Sequence, residues 1–308
     1  FTLLFSLFTL HFSLMLWGID LGGTKIEGIV LDGSEARQIH ARHRIDTEGD
    51  GGYEHILNRT KTLIDELSRL SGSRPERIGI GTPGILDPAT GLLKNSNTLC
   101  LNGKPMNVDL QKDLHIPVTM ANDANCFALA EFHLGAGREF PEAKNMFGVI
   151  MGTGVGGGII IDGKIITGFH GIGGEWGHMT LDASGDLCYC GRKGCVETWI
   201  SGPALQKFYF SMTGVKKKAE EIFADPDQQV VAQVKSRLLT YYGRALGQII
   251  TFLDPDLVVL GGGLSNLSFL YTEGRPEVAK NIFNHNFLTP VIPASLGDSA
   301  GVFGAALL

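Results

Sequence analysis

Five groups of residues in this chain have types and spacings that can do chemistry. Asp20 stands just before the turn Gly22-Gly23-Thr24-Lys25. Adjacent glycines let a backbone approach an anion and aim N–H groups at it, while Thr24 adds a hydroxyl and Lys25 a charge. A plain hairpin turn also uses Gly-Gly, but a carboxylate beside a phosphate cradle can hold Mg2+ directly or through water, and Asp20 favours that reading. Gly152-Thr153-Gly154, inside the run GTGVGGG, is a second such turn. Gly261-Gly262-Gly263 ends an apolar run, the place where ligands bind in α/β sheets. Asn122-Asp123 separates a strand-like from a helix-like segment. Either residue can cap that helix. A carboxylate at this point, facing the glycine turns, can also take the proton of an attacking hydroxyl.

The fifth group is His178 with Cys188, Cys190 and Cys195. Three thiols and an imidazole make a tetrahedral Zn2+ site, with buried free thiols or a redox pair as the alternatives. Four protein ligands would close the site and make the metal structural. It would then fix the loop bearing Glu175 and Glu197, two carboxylates suited to hydrogen-bonding the hydroxyls of a sugar. Glu197 reads equally well as an ordinary first-turn helix residue.

The elements that must position these groups announce themselves by repetition. IDLGGTKIEGIVLDG and IMGTGVGGGIIIDGK both read as strand, glycine turn, strand, Asp-Gly turn, and Gly22 and Gly152 stand 130 residues apart, as do Asp32 and Asp162. Two matching hairpins at one offset predict a duplicated unit, each half turning its glycines toward a shared ligand. YEHILNRTKTLIDELSRL places Ile56, Leu63, Ile64, Leu67 and Leu70 on one helical face, and Ser236 to Leu253 has the same period. DANCFALAEFHL reads as a helix, and RIGIGTPG, PVTMAND and DPDLVVL as strands. Alternating strands and helices predict an α/β protein. GxGxxG occurs at 152, 154 and 157 and again at 79, 81 and 84, but a strand follows the first and Pro83 interrupts the second. A dinucleotide-binding helix is therefore not expected.

With 308 residues and 44% apolar side chains, the chain can build two domains. Its net charge of −6, with no basic block, argues against nucleic-acid binding. Five cysteines without a recognisable secretory signal fit a reduced, cytoplasmic protein. Residues 1–14 are uncharged and apolar, and Met15 reads as a natural initiator. The run is expected to lie outside the native fold, a membrane anchor being the alternative.

DLGGTK, GTPG, the ANDAN run, GTGVGGG, GEWGH, CYCGRKGC, ETWISG and LDPDLVVLGGG, in this order from about Met15 to Gly304, resemble the signatures of the ROK family of sugar kinases. That family belongs to the superfamily of actin-like, heat-shock-chaperone-like and hexokinase-like ATPases. The resemblance implies two ribonuclease-H-like α/β domains, 15–122 and 123–308, with ATP and sugar in the inter-domain cleft and the last residues packing back on the first domain. It implies that Asp20, Gly22, Gly23, Thr24, Lys25, Gly152, Thr153, Gly154, Gly261, Gly262 and Gly263 bind ATP. Asp123 would be the catalytic base. Gly84, Asn97, Asn122, Asp123, Glu175, His178 and Glu197 would contact sugar. His178, Cys188, Cys190 and Cys195 would hold structural Zn2+, so that His178 serves metal and substrate alike. Mg2+, closure of the domains over substrate and a homodimer are further implications.

Repressors of this family carry a helix-turn-helix ahead of the first phosphate motif. The 19 residues before Asp20 are apolar, so DNA binding is not expected. LKNSNTLCLNGKP, GEWGH and GDSAGVFGAA look most like fructokinases and mannokinases. Conversion of D-fructose to fructose 6-phosphate is therefore the first expectation. FALAEF and GEWGHM are similar to N-acetylglucosamine kinases, which makes that sugar the second, with glucose third. The reading from another class is a non-catalytic sugar-sensing regulator, against which the intact Asp123 and both phosphate turns speak.

Overall fold

Two apolar hairpins, each closed by glycines, seed two five-stranded sheets. The computed structural model describes residues 15–33 and 38–308, and the expectation for residues 1–14 lies outside the described residues. In the first half, β1 (Met15–Leu21), β2 (Lys25–Asp32) and β3 (Ile39–Asp46) form an antiparallel meander. Helix α1 (Tyr53–Ser71) leads to β4 (Ile78–Thr82), which pairs parallel with β1. A small hairpin, β5 (Ile85–Leu86) and β6 (Leu93–Lys94), and helix α2 (Met106–Leu114) precede β7 (Val118–Asn122), parallel to β4. The sheet order is β3-β2-β1-β4-β7.

Helix α3 (Asp123–His133) then leads into the second half, whose meander is β8 (Met146–Met151), β9 (Val155–Ile161) and β10 (Lys164–Ile165). Short α4 (Glu197–Ile200), α5 (Gly202–Thr213), α6 (Ala219–Ile222) and long α7 (Gln228–Leu253) precede β11 (Leu257–Gly261), parallel to β8. Next come α8 (Phe269–Thr272), α9 (Gly274–Ala279), β12 (Val291–Pro293) and α10 (Ala300–Ala306). The order β10-β9-β8-β11-β12 repeats that of the first sheet. The hairpin echo at 130 residues is thus a duplication of topology. The glycines at 152–154 run into strand β9, not into a dinucleotide-binding helix.

The halves are interlaced. Helix α3 leaves β7 of the first sheet yet packs on β8 and β9 of the second, while α10 follows β12 of the second sheet and packs on β1 and β4 of the first. Glycines permit both approaches: a Cβ on Gly18 of β1 would lie 2.4 Å from the Val302 carbonyl oxygen, and one on Gly148 of β8, 130 residues on, would lie 2.8 Å from Ala128 Cβ. Around these helices a core of Ile29, Phe127, Ala128, Val259, Val302 and Phe303 joins two larger cores, one centred on Ile19, Ile26, Leu63 and Ile80 and one on Phe147, Leu205, Leu246 and Leu260.

Two details depart from expectation. Leu70 is 47% exposed although its period matches Leu63 and Leu67, in the last turn of α1, which ends at Ser71. Helix α7 starts at Gln228 rather than Ser236, since Asp227 caps it by accepting from the Gln229 and Val230 N–H groups. Among the described residues no helix is long and apolar enough to cross a membrane.

Candidate active site

The first glycine turn is braced from behind. Gly22 N donates to Lys25 O at 2.9 Å, Thr47 Oγ1 donates to Gly22 O at 2.7 Å, and Thr47 N donates to Thr24 O at 2.9 Å. Gly23, Thr24 and Lys25 are exposed, as a turn that receives a ligand requires. Asp20, near the end of β1, is hemmed in by Gly81, Cys126 and Gly301. Burial, then the like charges of Asp123 and Glu27, push its carboxyl up to about 7, against a smaller downward pull from Arg44. The contributions of Arg44, Cys126 and Gly301 had no signature in the motifs.

Asp123 begins α3 at the point where β7 ends. Asn122 Oδ1 accepts from Ala124 N at 2.9 Å and caps the helix, so the capping role falls to Asn122, with Asp123 Oδ1 also 2.7 Å from that N–H. Asp123 is exposed as a residue, yet enough protein surrounds its carboxyl to desolvate it. Burial raises its pKa, opposed by the hydrogen bonds from Ala124 N and Asn122. Glu175 is raised as well, by burial first and then by the charges of Asp123 and Glu197. The four carboxylates Asp20, Asp123, Glu175 and Glu197 therefore form one electrostatically linked run spanning both halves.

Glu197 opens α4, and its Oε2 accepts from Val155 N at 2.9 Å, directly behind the second glycine turn. It is a first-turn helix residue, as one of its two readings has it, and this bond also joins it to a segment 42 residues away. The turn Gly152–Gly154 is closed by Gly152 N donating to Gly154 O at 2.9 Å. It lies beside the third turn, since β8 and β11 are parallel neighbours and a Cβ on Gly152 would be 3.8 Å from Gly263 N. Gly262 and Gly263 are exposed, and Gly261 packs on the Phe127 ring. Gly84 is linked to the end of β7 through Thr82, whose Oγ1 donates to Gly84 O (3.1 Å) and Ala121 O (3.4 Å). Asn97 is exposed on the neighbouring loop, one residue before Thr98, whose Oγ1 would sit 3.5 Å from a Cβ on Gly23. A recess of about 540 Å³ between Leu129, His133, Ile165 and Leu307 contains none of these groups.

The donor atoms of His178, Cys188, Cys190 and Cys195 all lie within 4.8 Å of one another. Cys188 Sγ is 3.6 Å from His178 Nδ1, and Cys190 Sγ is 3.6 Å from Cys195 Sγ. A tetrahedral Zn2+ with about 2.3 Å bonds to sulfur needs ligand atoms about 3.8 Å apart, so the donor set fits that metal. The other imidazole nitrogen, Nε2, lies 2.8 Å from the Tyr189 hydroxyl. A sugar hydroxyl reaching His178 must displace that phenol, which the dual role expected of His178 did not anticipate.

The ROK family model matches residues 16–308. The chain belongs to the ROK family. It is 37% identical, over 96% of its length and 99% of the relative's, to the N-acetyl-D-glucosamine kinase of Escherichia coli O127:H6. The ROK hexokinase of Thermus thermophilus superposes with a TM-score of 0.84 at 32% identity, covering 95% of this chain and 97% of that one. The ROK glucokinase of Streptomyces griseus, solved with glucose and AMPPNP, superposes with a TM-score of 0.77 at 27% identity, covering 95% and 98%. These likenesses establish the actin- and hexokinase-like α/β fold for the whole described chain.

Proposed function

We propose that this ROK protein transfers the γ-phosphoryl group of ATP to the 6-hydroxyl of a hexose, with N-acetyl-D-glucosamine as the first substrate. The observation that carries the reading is the run of carboxylates from Asp20 to Glu197, with Asp123 at the first position of helix α3. Fructose yields its first place, because the whole-length relative is an N-acetyl-D-glucosamine kinase and the two solved relatives are a hexokinase and a glucokinase.

In this reading Glu175, Glu197, Asn122 and His178 orient the sugar, and Gly84 and Asn97 line its approach. Asp123 accepts the proton of the attacking hydroxyl as its oxygen bonds to the γ-phosphorus and the bond to the β–γ bridging oxygen breaks, releasing ADP. The elevated pKa of Asp123 makes it a better base than an exposed aspartate. N–H groups of the turns at 22–25 and 152–154 receive the phosphates, and the turn at 261–263 receives the adenosine. Mg2+ held near Asp20 would neutralise phosphate charge. Zinc in the His178, Cys188, Cys190 and Cys195 cluster would fix the loop that presents Glu175 and Glu197.

An ADP-release assay across N-acetyl-D-glucosamine, glucose, fructose and mannose tests the proposal. Turnover greatest with N-acetyl-D-glucosamine supports it, and turnover greatest with fructose restores the fructokinase reading. Sugar binding without ADP release would favour the sensing regulator. Size-exclusion chromatography with light scattering tests the accompanying proposal of a homodimer.

A further inference from the structure

We infer that Glu197 couples the sugar pocket to the second phosphate turn, so that nucleotide binding depends on this side chain before any sugar arrives. The inference rests on the reading of Gly152–Gly154 as a phosphate turn and deepens it. Glu197 stands two residues after Cys195, in the segment that leaves the zinc cluster. Its Oε2 accepts from Val155 N at 2.9 Å. Five residues further on, Gly202 N donates to Gly152 O at 2.8 Å. One short segment therefore grips both ends of the turn. Gly154 makes room for this: a Cβ there would lie 2.7 Å from Glu197 Oε2.

The consequence follows from peptide geometry. Holding Val155 N–H fixes the plane of the Gly154–Val155 peptide and hence the direction of the Gly154 carbonyl. That carbonyl accepts from Gly152 N, so the orientation is passed to the start of the turn. A glycine-rich turn has much conformational freedom to lose, and a turn ordered in advance spares the nucleotide that cost. Val155 is buried, so without Glu197 its N–H would lose its partner. A carboxylate has two oxygens, and the second remains for a sugar hydroxyl. Glu197 is on this account a positioning residue for the phosphates as well as a sugar contact.

The test is calorimetric binding of AMPPNP to the full chain without sugar. Glu197→Ala is expected to weaken AMPPNP roughly tenfold, whereas Glu197→Gln, which keeps an acceptor oxygen, stays within about twofold of wild type. Glu197→Gln still raises the KM for sugar, because it loses the charge. Should the alanine variant lose its circular-dichroism spectrum, Glu197→Asp replaces it, being one methylene too short to reach Val155. Wild-type AMPPNP affinity in the alanine or aspartate variant overturns the coupling, as does equal weakening in the glutamine variant. A wild-type protein that binds no AMPPNP overturns the phosphate-turn reading together with it, which distinguishes the two failures.

Discussion

Asp20→Asn is expected to stabilise the nucleotide-free protein at and above neutral pH. The Asp20 carboxyl is packed against Gly81, Cys126 and Gly301, and burial first, then the charges of Asp123 and Glu27, lift its pKa from 3.8 to about 7. A carboxyl whose folded pKa lies above its unfolded value holds its proton more tightly in the native state. The cost of ionising it is absent below the unfolded value, grows as pH rises between the two, and is complete above about 7. Three units at 1.36 kcal/mol each set a ceiling of about 4 kcal/mol, lowered by the partial access of solvent to the side chain. Asparagine keeps the shape and removes the charge. Urea unfolding of both proteins in Mg2+-free buffer, from about pH 4 to about pH 8, reads the difference directly. The gap should be near zero at the acid end, reach half its final size near pH 5.4, midway between 3.8 and 7, and level off above neutrality. A gap that ignores pH, or an asparagine variant less stable than wild type at about pH 8, would show that Asp20 carries no such strain.

Asp123→Asn should lower kcat by at least about 10²-fold with AMPPNP affinity retained, and unchanged turnover would remove Asp123 from the base role. Since burial raises the Asp123 carboxyl, the acid limb of the wild-type rate profile should lie above the usual carboxylate range, and a limb near the ordinary aspartate value would contradict that environment. Elemental analysis should find about one zinc per chain, and Cys195→Ser should lose it and melt earlier; a metal-free protein of full stability would leave the cluster without a structural task. Glu131, fully buried, accepts from Ala136 N, Ser295 N and Leu296 N. Replacing it by leucine leaves these donors without their acceptor and should cost about 2–4 kcal/mol in urea unfolding, whereas an unchanged midpoint would mean that water takes over.

Much of the architecture is legible in local pattern. The two hairpins are readable because glycine turns and alternating strands are local signals, and their common offset exposes the repeat. The junction at Asn122-Asp123 is readable because cap and carboxylate are neighbours in the chain. The thiol cluster is equally plain, with three of its members inside eight residues. What stays hidden is whatever depends on distant segments meeting. Nothing near Glu197 tells of its bond to Val155, and nothing near Asp20 tells that Cys126 and Gly301 will close around it. The choice of sugar is hidden for the same reason: short motifs resembling fructokinases outweighed the likeness of the whole chain, and pocket shape arises from loops that no single motif contains. The early start of α7 has a faint signal, one aspartate cap, Asp227, ahead of a polar first turn.

The exchange of helices α3 and α10 between the two sheets bears on how the polypeptide matures. The underside of β1 and β4 is covered by Val302, Ala305 and Ala306, which are synthesised long after those strands. The opening half must wait, with an apolar flank bare, until α10 has been made. A break in the loop between α3 and β8 would yield two fragments, each carrying the helix that covers the other's sheet, and they would need to recombine before either could complete its core.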